Sequence, residues 1–312
     1  MVKVNILSSL PFPTGANNIP VPSGLPGNLK VLNWAGFTGA VSYTFDDSTS
    51  SQLDHYTEMQ ALGIPMTFYM QTNRISMNPP DLAALWSQIV KDGHEIGNHT
   101  NNHTTVSAAN IDIATDFIQN TFGADVYSIA YPYGDTSYVP LAKTRFFIGR
   151  GVADGNILPN DSTDPYNLKC DIHTSSGRMD FAVDSARSVK GWRIILVHGF
   201  TGGNDGAYQP VNYDLFAAGV VYAKSLGDMW IDTVTNIGAY WRAQKILSSA
   251  KPVVSGNTTT WNWTLPDHFP PGKYLRVTVD GGTLYQNDKV LEWDGHGYYE
   301  VSLDAASLTL AP

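Results

Sequence analysis

Cysteine is almost absent from this chain: Cys170 is the only one in 312 residues. No disulfide can form within the chain, and no thiolate zinc site can be assembled from it. Its surroundings, KCDIH, carry no nucleophile signature, so the expectation for Cys170 is a partly buried structural thiol. Charge is scarce as well. Asp, Glu, Lys and Arg make up 15% of the chain, against roughly 25% in ordinary soluble domains. The 19 basic residues never cluster and are outnumbered by 28 acidic ones, for a net charge of −9. A phosphate-backbone partner requires a basic patch, so nucleic acid is not expected to bind. Long apolar runs are missing too. Ile194 to Val197 and Leu215 to Ala223 fall far short of a membrane span. No secretory leader is legible after Met1, where Lys3 is followed by only a short apolar run.

In place of charge the chain has Gly, Asn, Thr, Ser and Tyr, a mixture common in secreted proteins that handle neutral carbohydrates. The expected location is therefore secreted or extracytoplasmic, with any leader absent from this chain. Apolar residues at 43% suffice for a sizeable core.

Three textures follow one another. Residues 1–30 are rich in Pro, Gly and Asn and read as an extended arm. Residues 31–250 alternate β-rich runs (VSYTF, PMTFYM, HEIG, YSIAYP, RFFIG, WRIILVH, MWID) with helical stretches. Among the latter, residues 50–63 end at Gly63, and residues 79–93 have Pro in front and Gly behind. Residues 107–123, a stretch around 213–226 and one near 233–246 complete the helical set. Such β–α repetition predicts an α/β fold with a parallel sheet, doubly wound or closed as a barrel. Residues 251–312 turn to short alternating runs separated by Gly, Asn and Asp, an antiparallel β module.

Active sites of parallel α/β folds lie at the carboxyl ends of the strands. Several chemistry-bearing residues fall there. Asp46 and Asp47 end the run VSYTF; one can bind a cation while the other stays free as a base, or both can cap the next helix. In HEIGNHTNNHTT, His99 and His103 are four apart, which on a helical turn puts two imidazoles on one side. With Asp47 they make a two-histidine, one-carboxylate set with open coordination positions. Asn98, Thr100 and the asparagines between the ligands are expected to shape a small polar turn, and His94 to be a structural strand histidine. His198 closes the apolar run IILV and suits a general acid. In YPYG, Pro132 and Gly134 around Tyr133 predict a tight turn whose backbone N–H faces the site.

TFDD, HTNNH about fifty residues on, then YPYG and LVH: this ordered set resembles the polysaccharide deacetylases, the NodB-homology domains of carbohydrate esterase family 4. The resemblance spans roughly residues 38 to 245. It implies a deformed, incomplete (β/α) barrel followed by the small C-terminal β module. It makes Asp46 the catalytic base and Asp47, His99 and His103 the ligands of a divalent ion, usually zinc, with other divalent ions accepted. Tyr133 would lend its N–H to the oxyanion, His198 would be the general acid, and Leu196 would line the pocket for the acetyl methyl. Two departures stand out. Ala130 occupies the position where the family's third motif has a base-orienting Arg, and Arg150 is the candidate substitute. The Asp-rich fourth motif is reduced to Asp161–Tyr166, so Tyr166, Trp192 and Tyr131 become candidates for the substrate pocket.

The implied activity is metal-dependent removal of acetyl groups from a poly- or oligosaccharide. N-deacetylation of N-acetylglucosamine glycans is the first expectation, and acetyl xylan esterase activity is the alternative. A catalytically weak carbohydrate-binding protein is the alternative of another class. Nothing in the sequence indicates a protein partner. In the C-terminal module, Trp261, Trp263, Tyr274, Tyr285, Trp293 and Tyr298 are read first as sandwich core and second as a sugar-stacking platform.

Overall fold

The run GAVSYTF is buried at all seven positions, as a strand covered on both faces must be. In the computed structural model, which describes residues 10–76, 80–172 and 179–312, this strand (Gly39–Phe45) is the hub of an eight-stranded, all-parallel sheet. Residues 1–9 of the expected arm, Pro79 and His173 lie outside the described residues. Along the sheet the strands run Ile148–Arg150, Ser128–Ala130, Glu95–Asn98, Thr67–Met70, Gly39–Phe45, Trp192–Val197 and Asp171–Ile172. Trp192–Val197 fills one edge of the hub from Ala40 to Phe45. The other edge is shared: Met229–Ile231 pairs with Gly39–Val41, and Thr67–Phe68 pair with Thr44–Phe45. Two strands dividing one edge split the sheet at its amino end. The result is a curled half-barrel, the deformed, incomplete (β/α) barrel implied above.

The helices follow local signals. Ser107 caps Ala108–Phe122 by accepting from the Asn110 N–H (3.2 Å), and Gly123, at φ 65°, ends it in the left-handed region. The helix expected over 50–63 is two pieces, Ser50–Asp54 and Tyr56–Ala61, broken at His55. The longest of the helices that were not expected carries a clear signal. Met179–Val189 buries Met179, Ala182, Val183 and Ala186, an i, i+3, i+4, i+7 stripe legible in MDFAVDSA. Thr72–Ser76 and the two-residue strand Asp171–Ile172 are also additions. Among the described residues no helix is long and apolar enough to cross a membrane.

The chain forms two compact units, one of residues 38–238 and one of residues 1–37 with 239–312. The second holds two antiparallel sheets. One joins Val253–Ser255, Thr258–Asn262, Ser307–Ala311, Thr283–Gln286 and Lys289–Val290. The other joins Lys30–Val31, Tyr274–Thr278, Tyr298–Ser302 and Trp293–Asp294. Of the six aromatics singled out there, Trp263 and Tyr298 are core. The Trp263 Nε1–H donates to the Leu303 carbonyl (2.9 Å), and Tyr298 lies under the Arg276 guanidinium (4.2 Å).

Candidate active site

The parallel sheet delivers its chemistry to one edge. Asp46 and Asp47 follow Phe45, His99 follows Asn98, Tyr131 follows Ala130, Arg150 ends its strand and His198 follows Val197. All but Arg150 line a cavity of about 640 Å³, whose walls also include His103 and Leu196.

The adjacent carboxylates are separated by backbone conformation. Asp47 (φ 70°) and Ser48 (φ 53°) are both left-handed, a region that costs non-glycine residues energy but that Asp adopts more readily than most. Hydrogen bonds hold the turn there. Gln52 Nε2 donates to the Asp46 carbonyl (2.6 Å), Ser48 Oγ accepts from the Gln71 N–H (3.1 Å), and Arg74 Nη1 donates to the Asp47 carbonyl (3.1 Å). Asp47 thus faces both histidines, while Asp46 pairs with Arg150 through Oδ2, an atom that also lies 3.7 Å from His99 Nε2.

Asp47 Oδ1 lies 3.3 Å from Nε2 of both His99 and His103, and the two Nε2 atoms are 3.1 Å apart. Four ligands at about 2.0–2.1 Å in a tetrahedron stand about 3.3 Å from one another, so the spacing fits a zinc-sized cation. The tautomer fits as well. His99 Nδ1 is 2.9 Å from the Ala130 carbonyl, which can only accept, so a proton is on Nδ1 and Nε2 is the ring nitrogen turned toward Asp47. Burial opposes ionisation of Asp47, yet His99, His103 and His198 outweigh it and hold the carboxyl below its usual range. Burial likewise opposes a charge on His99, but Asp46 and Asp47 raise its pKa. His103 is pushed down to about 4 by burial and by His99, which leaves it neutral and a competent ligand.

The expected helical turn between these histidines does not form. Thr100 (φ 63°) and His103 (φ 60°) are left-handed, and the segment is a bend. Asn98 Oδ1 accepts from the Thr100 N–H (2.7 Å), and Thr100 Oγ1 accepts from the His103 N–H (3.1 Å). Side-chain acceptors have replaced the helix ladder, and the imidazoles converge by that route. His94 is the structural histidine expected. Its Nδ1 accepts from the Met66 N–H (3.1 Å) and its Nε2 meets Gln60 Oε1 (2.7 Å).

Arg150 is wholly buried, and its Nη2 donates to Asp46 Oδ2. It is the register partner of Ala130 on the neighbouring strand, so the guanidinium comes from the same height, one strand over. Its Nη1 reaches the Gly151 carbonyl (3.1 Å) and Cys170 Sγ (3.6 Å), and its face lies 5.1 Å from the Tyr69 ring. Cys170 is fully rather than partly buried. Asp46 Oδ1 has no hydrogen-bond partner among the described residues and is free for an incoming group.

Tyr133, at φ 57°, turns sharply between Pro132 and Gly134 and is 79% exposed, with its ring edge-on to His103 (4.6 Å). Burial lowers the His198 pKa, opposed by Asp46 and Asp47. Leu196 and Tyr131 line the cavity, as does Ile172, the register partner of Leu196. Two expected pocket residues do not. Trp192 begins its strand rather than ending it. It is buried with its Nε1–H on Ser42 Oγ (3.1 Å), four residues before Leu196 and so about 13 Å away along the strand. Tyr166 presents its carbonyl to the Tyr131 hydroxyl and its ring to Lys143 (5.7 Å), outside the cavity lining. Arg74, Ile172 and Tyr208 line the cavity without having been expected. Only Ile172, an apolar residue near a strand end, left any trace in the sequence.

Residues 38–145 match the family profile described as polysaccharide deacetylase. Over this stretch the chain is similar to the polysaccharide deacetylases. Asp46, Asp47, His99, His103 and Tyr133 fall inside the match, while Arg150, Leu196 and His198 lie beyond it. The same fold is seen in a Mycobacterium smegmatis protein assigned to the polysaccharide deacetylases. It is 15% identical with a TM-score of 0.51, over 73% of this chain and 96% of that one. A family 4 acetyl xylan esterase from Clostridium thermocellum, solved with a cobalt ion, aligns at 18% identity and a TM-score of 0.45, over 64% and 89% of the two chains. A gellan lyase from Bacillus sp is 26% identical over 205 residues, 55% of this chain; the chain spans 8% of that protein's length.

Proposed function

We propose that this chain is a metal-dependent hydrolase that removes acetyl groups from a carbohydrate, with N-acetylglucosamine-containing glycans as its substrate class. One observation carries the reading: two adjacent carboxylates are sent to different partners in one cleft, Asp47 to a pair of imidazoles and Asp46 to a buried guanidinium. The lack of basic clusters and the net charge of −9 support a neutral glycan over an anionic one. An extracytoplasmic location is proposed with it, on composition.

Asp47 Oδ1, His99 Nε2 and His103 Nε2 would hold the ion, for which zinc is proposed on their N, N, O donor set and spacing. When bound, a divalent ion would make a water acidic enough to lose a proton near neutral pH and would polarise the acetyl carbonyl. The remaining work belongs to side chains of the cleft. Asp46 accepts the water proton at Oδ1, because Oδ2 is held by Arg150. The Tyr133 backbone N–H stabilises the oxyanion as the carbonyl becomes tetrahedral. His198 donates a proton to the departing nitrogen. Leu196 and Ile172 form the apolar wall against which an acetyl methyl packs.

Acetate release from N-acetylglucosamine oligomers and from acetylated xylan, each with and without chelator, tests the proposal. Chelator-sensitive release from the amino-sugar oligomers is expected. Release from xylan alone would move the activity to ester hydrolysis. Release from neither, with glycan binding retained, would make the chain a binding protein and overturn the reading.

A further inference from the structure

Residues 199–211 leave the strand that carries His198 and close on themselves. The Thr201 N–H donates to the Val211 carbonyl (2.9 Å), and the Val211 N–H donates to the Gly199 carbonyl (3.0 Å). Asp205 pins the loop from within. Its Oδ2 accepts from the Ser51 N–H (2.7 Å), its Oδ1 from the Ala207 N–H (3.1 Å), and its carbonyl from Arg74 Nη2 (3.2 Å). Gly199 makes the close fit possible. A Cβ there would lie 2.6 Å from Ser51 Oγ and 2.8 Å from the Ala207 Cβ, nearer than side-chain atoms approach. Ala207 is therefore seated against Gly199, and the next residue, Tyr208, is delivered to the cavity wall. Its ring meets the His198 ring edge-on, 5.3 Å between centroids at 83°.

Despite these anchors Tyr208 remains 58% exposed. A tyrosine fixed by a pinned loop but open to water offers an apolar face with a polar tip. Pyranose rings match that surface, with apolar C–H faces and hydroxyl edges. The two aromatics expected to supply such a wall, Trp192 and Tyr166, are turned elsewhere. We infer that Tyr208 is a sugar-binding residue, its face stacking on a pyranose of the glycan next to the unit that loses its acetyl group. The identity of that sugar rests on the deacetylase reading; the stacking surface does not.

The full chain and its Tyr208→Ala and Tyr208→Trp variants decide the matter with an N-acetylglucosamine hexamer and dimer as probes. Calorimetric binding of the hexamer is expected to weaken about tenfold in Tyr208→Ala, about 1.4 kcal/mol. KM for the hexamer should rise in step, more than for the dimer, and Tyr208→Trp should restore both. Unchanged hexamer binding in Tyr208→Ala overturns the inference. So does an equal loss on hexamer and dimer confined to kcat, which would make Tyr208 a support for His198. A wild-type chain that binds the hexamer but releases no acetate defeats the deacetylase reading alone, and the binding comparison still decides for Tyr208. A wild-type chain that binds no hexamer overturns the inference even if acetate leaves another glycan.

Discussion

Each of the two compact units buries one arginine completely, and the two live in opposite circumstances. Arg276 is saturated. Its Nε and Nη2 donate to Glu300 Oε1 (3.2 and 3.1 Å), Nη1 to the carbonyls of Pro11 and Ala35 (2.8 and 2.9 Å), and Nη2 also to that of Leu10 (3.3 Å). Arg150 is not. Its Nε has no hydrogen-bond partner among the described residues, nor has Asp46 Oδ1, and Asp47 Oδ1 meets only the two imidazoles, without a hydrogen bond. Buried polar atoms left unpaired cost about 1–3 kcal/mol each, so a protein rarely gathers three of them without a use. The saturated arginine ties an N-terminal segment to a sheet. The unsaturated one is paired with a site whose two carboxylates, Asp46 and Asp47, line the cavity, where a cation, a water and a substrate would meet them.

The contrast breaks most visibly at the metal ligands. His99→Ala, or chelation of the wild type, is expected to bring acetate release down to the uncatalysed level, with metal emission spectroscopy showing an empty protein. Full turnover in metal-free His99→Ala would mean that the unpaired Asp47 oxygen has no cation to serve. Asp46→Asn comes next, with a loss of about 10²–10⁴-fold in kcat and metal content unchanged. A variant near wild-type rate would remove Asp46 from the role of base.

Substituting the arginines sharpens the comparison. Removing one partner of a buried ion pair costs about 3–5 kcal/mol, so Arg150→Met and Arg276→Met should both lower stability in denaturant titrations. Only Arg150→Met should also lower kcat, because Asp46 would lose the group that holds its Oδ2 and fixes its orientation. Equal kcat in the two variants would reduce Arg150 to the structural status of Arg276.

How much of the fold and site is legible in the sequence follows from where the information is stored. The strand ends are, because VSYTF and IILV are apolar runs that stop at Asp46 and His198. The parallel sheet then brings such ends together whatever the loops do. The bend at His99–His103 is legible in its ligands but not in its backbone. Spacing four suggests a helix, whereas the deciding hydrogen bonds from Asn98 and Thr100 are tertiary in effect, with Asn98 itself held by the Ile111 carbonyl (3.0 Å). Trp192 opens the run WRIILVH that His198 closes, so its distance from the strand's carboxyl end was legible and the pocket reading passed over it. The helix Met179–Val189 carries its periodicity openly, although the β–α reading did not include it. Tyr208 has no local signal, since its meaning depends on Gly199 and Asp205 fixing a loop against Ser51.

Cys170 is expected to give the smallest effect. Burial pushes its thiol up to about 12, with the Arg150 guanidinium pulling the other way. The thiol therefore stays protonated at neutral pH, and the thiolate is the form that attacks disulfide reagents. No reaction with such a reagent is expected in the native protein, and one equivalent on unfolding. Cys170→Ala removes the weak 3.6 Å contact to Arg150 Nη1 and opens a space of about one methyl group, worth about 1 kcal/mol of stability. Its kcat should fall far less than that of Arg150→Met, since the Asp46 contact is made by Nη2. A loss as large as that of Arg150→Met would show that sulfur, not carboxylate, orients this guanidinium, and the contrast with the saturated Arg276 would have to be redrawn around the thiol.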